Sequence, residues 1–167
     1  MKFFSDFEKE FITKLIELHN DPSALVVLGN LIENYIPSSI YLELPSEEFS
    51  FIMVEEIIFN EFANKYFNIG ISAFIKEMRE KLISILRLLE YLERKKYIYL
   101  SDNFKAEAIG DKKVDESYIQ YEIKDKEITS LLYKYSQHIL VPSTTLIQFV
   151  KNKFLTDTQI EHLENMN

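Results

Sequence analysis

Residues 71–100, ISAFIKEMREKLISILRLLEYLERKKYIYL, carry a helical periodicity that gives way to a strand pattern across one short basic run. Ile71, Ile75, Met78, Leu82, Ile85, Leu89 and Leu92 recur at steps of 4, 3, 4, 3, 4 and 3, so all of them fall on one stripe of an α-helix. Arg94-Lys95-Lys96 closes that helix, and the alternating, aromatic Tyr97-Ile98-Tyr99-Leu100 suits a pleated sheet better than a further helical turn. Upstream, Asn68-Ile69-Gly70 supplies the glycine of a tight helix-to-helix turn. The helix is therefore predicted from about Ile71 to Lys95, roughly 37 Å long. Phe74, Ile83, Leu86 and Leu88 widen its apolar surface beyond a narrow two-helix seam. That width favours burial inside the chain's own core, although a 3-4 repeat is also compatible with a homodimer through this helix.

Working outward toward the N-terminus, Ser5 and Glu8 have the spacing of a capping box, and Phe7, Phe11, Leu15 and Leu18 follow on one helical face. Asn20-Asp21-Pro22 ends that helix. Asp21 with Pro22 is expected to start the next, with Leu25, Leu28, Ile32 and Tyr35 as its stripe up to Ile36-Pro37. Residues 39–44, bounded by Pro37 and Pro45, read as a strand. For 49–67 a helix started by Ser46, Glu47 and Glu48 is favoured on the spacing of Ile52, Glu56, Phe59, Ala63 and Tyr66, with a strand through Val54 as the alternative. Toward the C-terminus, polar residues 101–117 with Gly110 form the loosest segment, and 118–123 resumes strand character. Three more helices are expected: one capped by Asp125, one started by Pro142-Ser143, and one capped by Thr156 or Asp157.

The 167 residues are enough for one domain but cramped for two, and 47% hydrophobic with 28% charged residues is a folding composition. With no cysteine, disulfides and Cys-containing zinc sites are excluded. Charges arrive too early in the first ten residues for a signal peptide, and no stretch reaches the ~18 apolar residues of a membrane span, so a cytoplasmic location without membrane contact is expected. The net charge of −8 is uneven: −8 over residues 1–70, +3 over 71–100 and −3 over 101–167. Only the middle segment has the sign that phosphate neutralisation requires.

The run Leu86-Arg87-Leu88-Leu89-Glu90-Tyr91-Leu92-Glu93-Arg94-Lys95-Lys96-Tyr97-Ile98-Tyr99-Leu100 resembles the end of the third helix and first wing strand of winged-helix domains, with Lys96 where that family has a turn glycine. The resemblance covers residues 39–123, flanked by helical extensions 1–37 and 125–167 in a single domain over 1–167. The resemblance agrees with the fold that the elements themselves predict, α+β and predominantly helical, in which about seven helices surround a three-stranded antiparallel sheet of 39–44, 97–101 and 117–123. It also implies a nucleic-acid-binding alternative in which Ser72, Lys76 and Arg79 meet a major groove, and Lys105, Lys112 and Lys113 sit on the wing. Against that, Glu77, Glu80, Glu90 and Glu93 alternate with the helix's basic residues and would repel phosphate.

No residue pattern demands chemistry. His19, His138 and His162 each fall late in a predicted helix, where a protonated imidazole complements the dipole. The adjacent carboxylates Glu47-Glu48, Glu55-Glu56 and Asp115-Glu116 do not separate two pKa values as acid–base catalysis needs, and three glycines do not build a phosphate loop. No catalytic, cofactor or metal residues are assigned. Tyr97, Tyr99, Tyr118 and Tyr121 cluster around the proposed hairpin, where phenol rings with polar tips suit a protein interface. The expected function is a non-enzymatic interaction module or regulatory subunit with a protein partner. The alternatives are a winged-helix nucleic-acid-binding regulator and a small acidic inhibitor or immunity-type protein using residues 1–70.

Overall fold

The computed structural model describes residues 3–58, 60 and 69–166, with the backbone alone at 69–72, 74 and 157. Its longest element is helix α3, Ile69–Arg94, preceded by α1 (Asp6–Asn20) and α2 (Leu28–Ile32) and followed by α4 (Lys126–Ser136), α5 (Thr144–Lys151) and α6 (Asp157–Met166). The strands are β1 (Ile40–Glu43), β2 (Phe51–Glu55), β3 (Ile98–Asn103), β4 (Ala108–Ile109), β5 (Tyr118–Glu122) and β6 (His138–Pro142). The fold is α+β, with a four-stranded sheet in the order β4-β1-β2-β5 and a two-stranded sheet β3-β6, every pairing antiparallel.

Local signals account for the helices. The Ser5 hydroxyl accepts from Glu8 N–H while the Glu8 carboxylate accepts from Ser5 N–H, so the capping box forms, and α1 buries Phe11, Ile12, Leu15 and Ile16. The α3 stripe is core: Met78, Leu82, Ile85, Leu89 and Leu92 are buried, together with the flanking Leu86 and Leu88. Ile71 and Asn68 lie outside the residues whose side chains are described, and Gly70 continues the helix rather than turning it. At the other end Lys96 takes the left-handed conformation, φ 62°, and the N–H groups of Tyr97 and Lys96 bond back to the carbonyls of Leu92 and Glu93. That pairing is a Schellman closure in which lysine occupies the usual glycine position. Asp125, Ser143 and Thr156 accept the first-turn N–H bonds of α4, α5 and α6.

Four expectations change. Of the helix favoured over 49–67, residues 51–55 are instead β2, residues 56–58 and 60 are helical, and 59 and 61–67 lie outside the described residues. Ser46 Oγ accepts from the N–H groups of Glu48 and Phe49, but this closes only a turn, because Ile52 and Val54 then face the core while 51–55 pairs on both sides. The segment Ala24–Val27, read as the start of a helix, is extended: Asp21 accepts from Ser23 in a local turn, and Val26 C=O accepts from Leu140 N–H across to β6. Residues 138–142, with His138 expected late in a helix and Pro142 expected to start the next, are a strand. Finally, the 97–101/117–123 hairpin does not form: β3 pairs with β6, while β5 pairs with β2. The three segments expected in one sheet are thus divided between two, with β2 inserted between β1 and β5. The buried cluster nevertheless runs from Phe4 to Leu146, drawing on the N-terminal helix, both sheets and α3 to α5.

Candidate interaction surface

Alternation along the four-stranded sheet sends Ile40, Leu42, Ile52 and Val54 into the core and leaves Tyr41, Glu43, Met53, Glu55, Tyr118 and Gln120 on the outer face. Two of these are far from solvent despite their polarity, Tyr41 at 1% and Glu55 at 7% exposed. The loop that follows Gly110 supplies their partners. Lys113 Nζ donates to Glu55 Oε1 at 2.6 Å, Lys113 N–H donates to the Tyr118 hydroxyl at 2.9 Å, and Lys112 Nζ lies 5.8 Å from the centre of the Tyr41 ring. Tyr118 meets Tyr41 edge-on, centroids 4.7 Å apart. Gly110 permits this course because it adopts φ 102° and a Cβ there would come within 3.2 Å of the Ile40 carbonyl oxygen and of Tyr41.

The electrostatics follow from those contacts. Burial, then the hydrogen bond Tyr41 donates to Glu43 Oε1 at 3.0 Å, push the Tyr41 phenol up to about 12. The bond to Glu55 raises the Lys113 ammonium above its ordinary value. Both shifts favour the form each group already takes at neutral pH, the neutral phenol and the charged ammonium.

The four tyrosines expected to form one patch are divided between the sheets. Tyr99 on β3 is 51% exposed, and Tyr97 is half-buried with its centroid 6.4 Å from that of Tyr91. Tyr118 and Tyr121 are half-buried on β5, pointing to opposite faces from positions that pair with Glu55 and Ile52. Among the described residues no strand pairs with the outer side of β5, on which Gln120 and Glu122 are exposed.

The basic residues are scattered as well. Lys76 is exposed on α3, Arg79 is half-buried, and the Ser72 side chain lies outside the described residues. Lys112 and Lys113 are folded onto the sheet by the contacts above, whereas Lys105 lines a cleft of about 550 Å³ with Glu43, Lys112, Tyr133 and Gln137. Of the α3 glutamates, Glu77 pairs locally, with Lys81 at 3.5 Å. His138 stands at the start of β6 rather than in a helix, with Nδ1 2.8 Å from the Lys134 carbonyl. His162 is exposed on α6.

Sequence reasoning missed the Glu55–Lys113 link and a second polar cluster, in which Glu93 Oε1 accepts from Lys134 Nζ and from the fully buried Tyr135 hydroxyl, each at 2.8 Å. The partners in each case are 58 and 42 residues apart, beyond any local spacing rule. Reading 51–55 as a strand would have placed Glu55 on the Met53 face, the one signal available for the first. Among the described residues no helix is long and apolar enough to cross a membrane. No family model, no curated protein and no solved structure matches the chain.

Proposed function

We propose that the chain is a non-enzymatic protein-interaction module, a subunit or regulator within a larger assembly. The observation that carries this reading is Tyr99, a large ring half exposed on the strand that follows α3. Tyrosine anchors interfaces well because it brings a large apolar area, few rotatable bonds and a hydroxyl that hydrogen-bonds at the rim. The outer edge of β5, with which no described strand pairs, adds a second means of recognition, since an extended segment of a partner would gain main-chain hydrogen bonds there. Affinity purification of the tagged chain from its native host, repeated with Tyr99→Ala, tests the reading. A stoichiometric protein should co-purify with the parent chain and be depleted about tenfold by the variant, a loss of roughly 1.4 kcal/mol in binding. A chain that purifies alone refutes the interaction reading, and a partner retained undiminished by Tyr99→Ala removes the tyrosine from the interface.

A further inference from the structure

Where β3 starts and α5 runs beside it, a groove of about 600 Å³ opens between Tyr97, the face of α5 and the turn that follows that helix. Its volume lies within the range of small-molecule sites. Its composition sets it apart from the rest of the surface. In a chain with 28% charged residues, none of the eight described lining side chains is charged. Five of them, Thr144, Thr145, Gln148, Asn152 and Thr156, carry a hydroxyl or a carboxamide, and two, Tyr97 and Phe149, are half-buried aromatic rings.

That lining discriminates between ligand classes. Phosphates and carboxylates would find no cation there among the described residues, and amines would find no carboxylate. A wholly apolar ligand would strip water from five hydrogen-bonding side chains without replacing it. What remains is an uncharged ligand that both donates and accepts hydrogen bonds around its rim and has an apolar face for a ring. A pyranose sugar has this character, with equatorial hydroxyls at its edge and C–H groups on its faces.

The polar groups are held ready. Gln148 Nε2 donates to Asn152 Oδ1 at 3.3 Å, an alignment that leaves the Gln148 carbonyl oxygen and the Asn152 amide hydrogens for a third group. Asn152 is held by its own N–H, which bonds to the Gln148 carbonyl. Beyond it Lys153 and Phe154 both adopt left-handed φ, 56° and 62°. Lys153 is the expected position of a Schellman closure, with N–H bonds from Lys153 to Val150 C=O and from Phe154 to Phe149 C=O. Phe154 is a second, unusual one for a bulky residue. Its ring packs edge-on against Phe149 at 5.4 Å and against Phe4 at 6.3 Å, and the chain then turns to bring Leu155 and Thr156 to the groove. The two left-handed residues lie between Asn152 and Leu155, both of which line the groove.

We propose that this groove binds a neutral saccharide of one to three rings, a site that shares only Tyr97 with the interaction surface. The test is NMR of the isotope-labelled full chain titrated separately with maltotriose, cellotriose and triacetylchitotriose. At least one sugar should shift the side-chain amide signals of Gln148 and Asn152 saturably, and Gln148→Ala/Asn152→Ala should weaken its binding about tenfold or more with an unchanged melting temperature. If that pair melts early, Thr145→Ala, at an exposed position, takes its place with the same expectation. The proposal is overturned if none of the three sugars moves those amides at ~10 mM, about ten times a weak millimolar Kd. It is equally overturned if the shifts spread over the whole surface, or if the substituted chains bind as the parent does.

Discussion

Glu93 shows how a single side chain ties two helices together. Burial by itself would raise its carboxyl pKa, but the hydrogen bonds from Lys134 and Tyr135 prevail and hold it below the ordinary value of 4.5. The same contact, after burial, raises the Tyr135 phenol, which therefore stays a neutral donor. A carboxylate depressed in the folded state adds stability above its unfolded pKa and loses it as pH falls through the folded one. Glu93→Ala should therefore cost about 1–3 kcal/mol near neutral pH by leaving the buried Tyr135 hydroxyl unpaired. It should also flatten the fall in stability on acidification below about pH 4.5. Denaturant melts of both chains across pH 3–7 check the two effects. A variant as stable as the parent, with the same acid limb, would show that the contact contributes nothing net. Lys96 and Gly110 illustrate another residue-scale effect, since each occupies a left-handed position that a neighbouring close approach or helix ending dictates. Only the glycine takes it without a steric cost.

At the scale of elements, α3 is the scaffold against which everything else is placed. Its stripe packs into the cluster shared by α1, both sheets and α4, and Arg87 reaches Glu127 on α4 at 3.1 Å from the helix's solvent side. Ile85, 1% exposed, sits midway along that stripe. Ile85→Ala should destabilise by about 2–5 kcal/mol through lost transfer energy and a residual cavity. Ile85→Asp should leave the chain unfolded, because an unpaired carboxylate has no partner there. Circular dichroism melts read both, and parent-like melting of the aspartate variant would mean that this stripe is not core. The loop from Gly110 to Ser117 belongs to the same scale: two tyrosines, a glutamate and two lysines become one structure only because the loop crosses the outer sheet face.

For the whole molecule, the questions are the number of copies and the sign of the partner. Of the residues that widen the apolar surface of α3, Leu86 and Leu88 are buried beside the stripe, Ile83 is half-buried, and the Phe74 side chain lies outside the described residues. A monomer of 19.8 kDa is accordingly expected by light scattering at micromolar concentration, and a doubled mass would refute it. If a dimer appears, Tyr97→Ala/Tyr99→Ala should return a folded monomer, whereas Ile85→Asp should not fold at all. The charge distribution predicts no binding to mixed duplex DNA at ~50 mM salt, because Lys112 and Lys113 are folded onto the sheet and the α3 glutamates face the same solvent as its basic residues. Tight binding that weakens steeply with added salt would instead support the winged-helix nucleic-acid reading.

Helices whose signals are local were legible in the chain before folding: the capping box at Ser5 and Glu8, the α3 stripe, the caps at Asp125 and Ser143, and a last cap at Thr156 or Asp157, of which the structure uses Thr156. Each depends on residues within one or two turns, and that information is complete in a short window. The sequence also placed strand character at 39–44, 97–100 and 118–123, because β-leaning residues between breakers need no partner to be recognised. Which strands meet, by contrast, emerges only on folding. Phe51–Glu55 keeps a helical spacing yet is drawn into the sheet by two flanking strands, and β3 bypasses β5 to join His138–Pro142, a run with no periodicity of its own. Pairing is settled by burial between segments far apart in the chain, and no local pattern encodes it. The same holds for function: the tyrosines were legible one by one, but their division between two sheets, the Lys113–Glu55 link and the uncharged groove beside α5 exist only once the chain has folded.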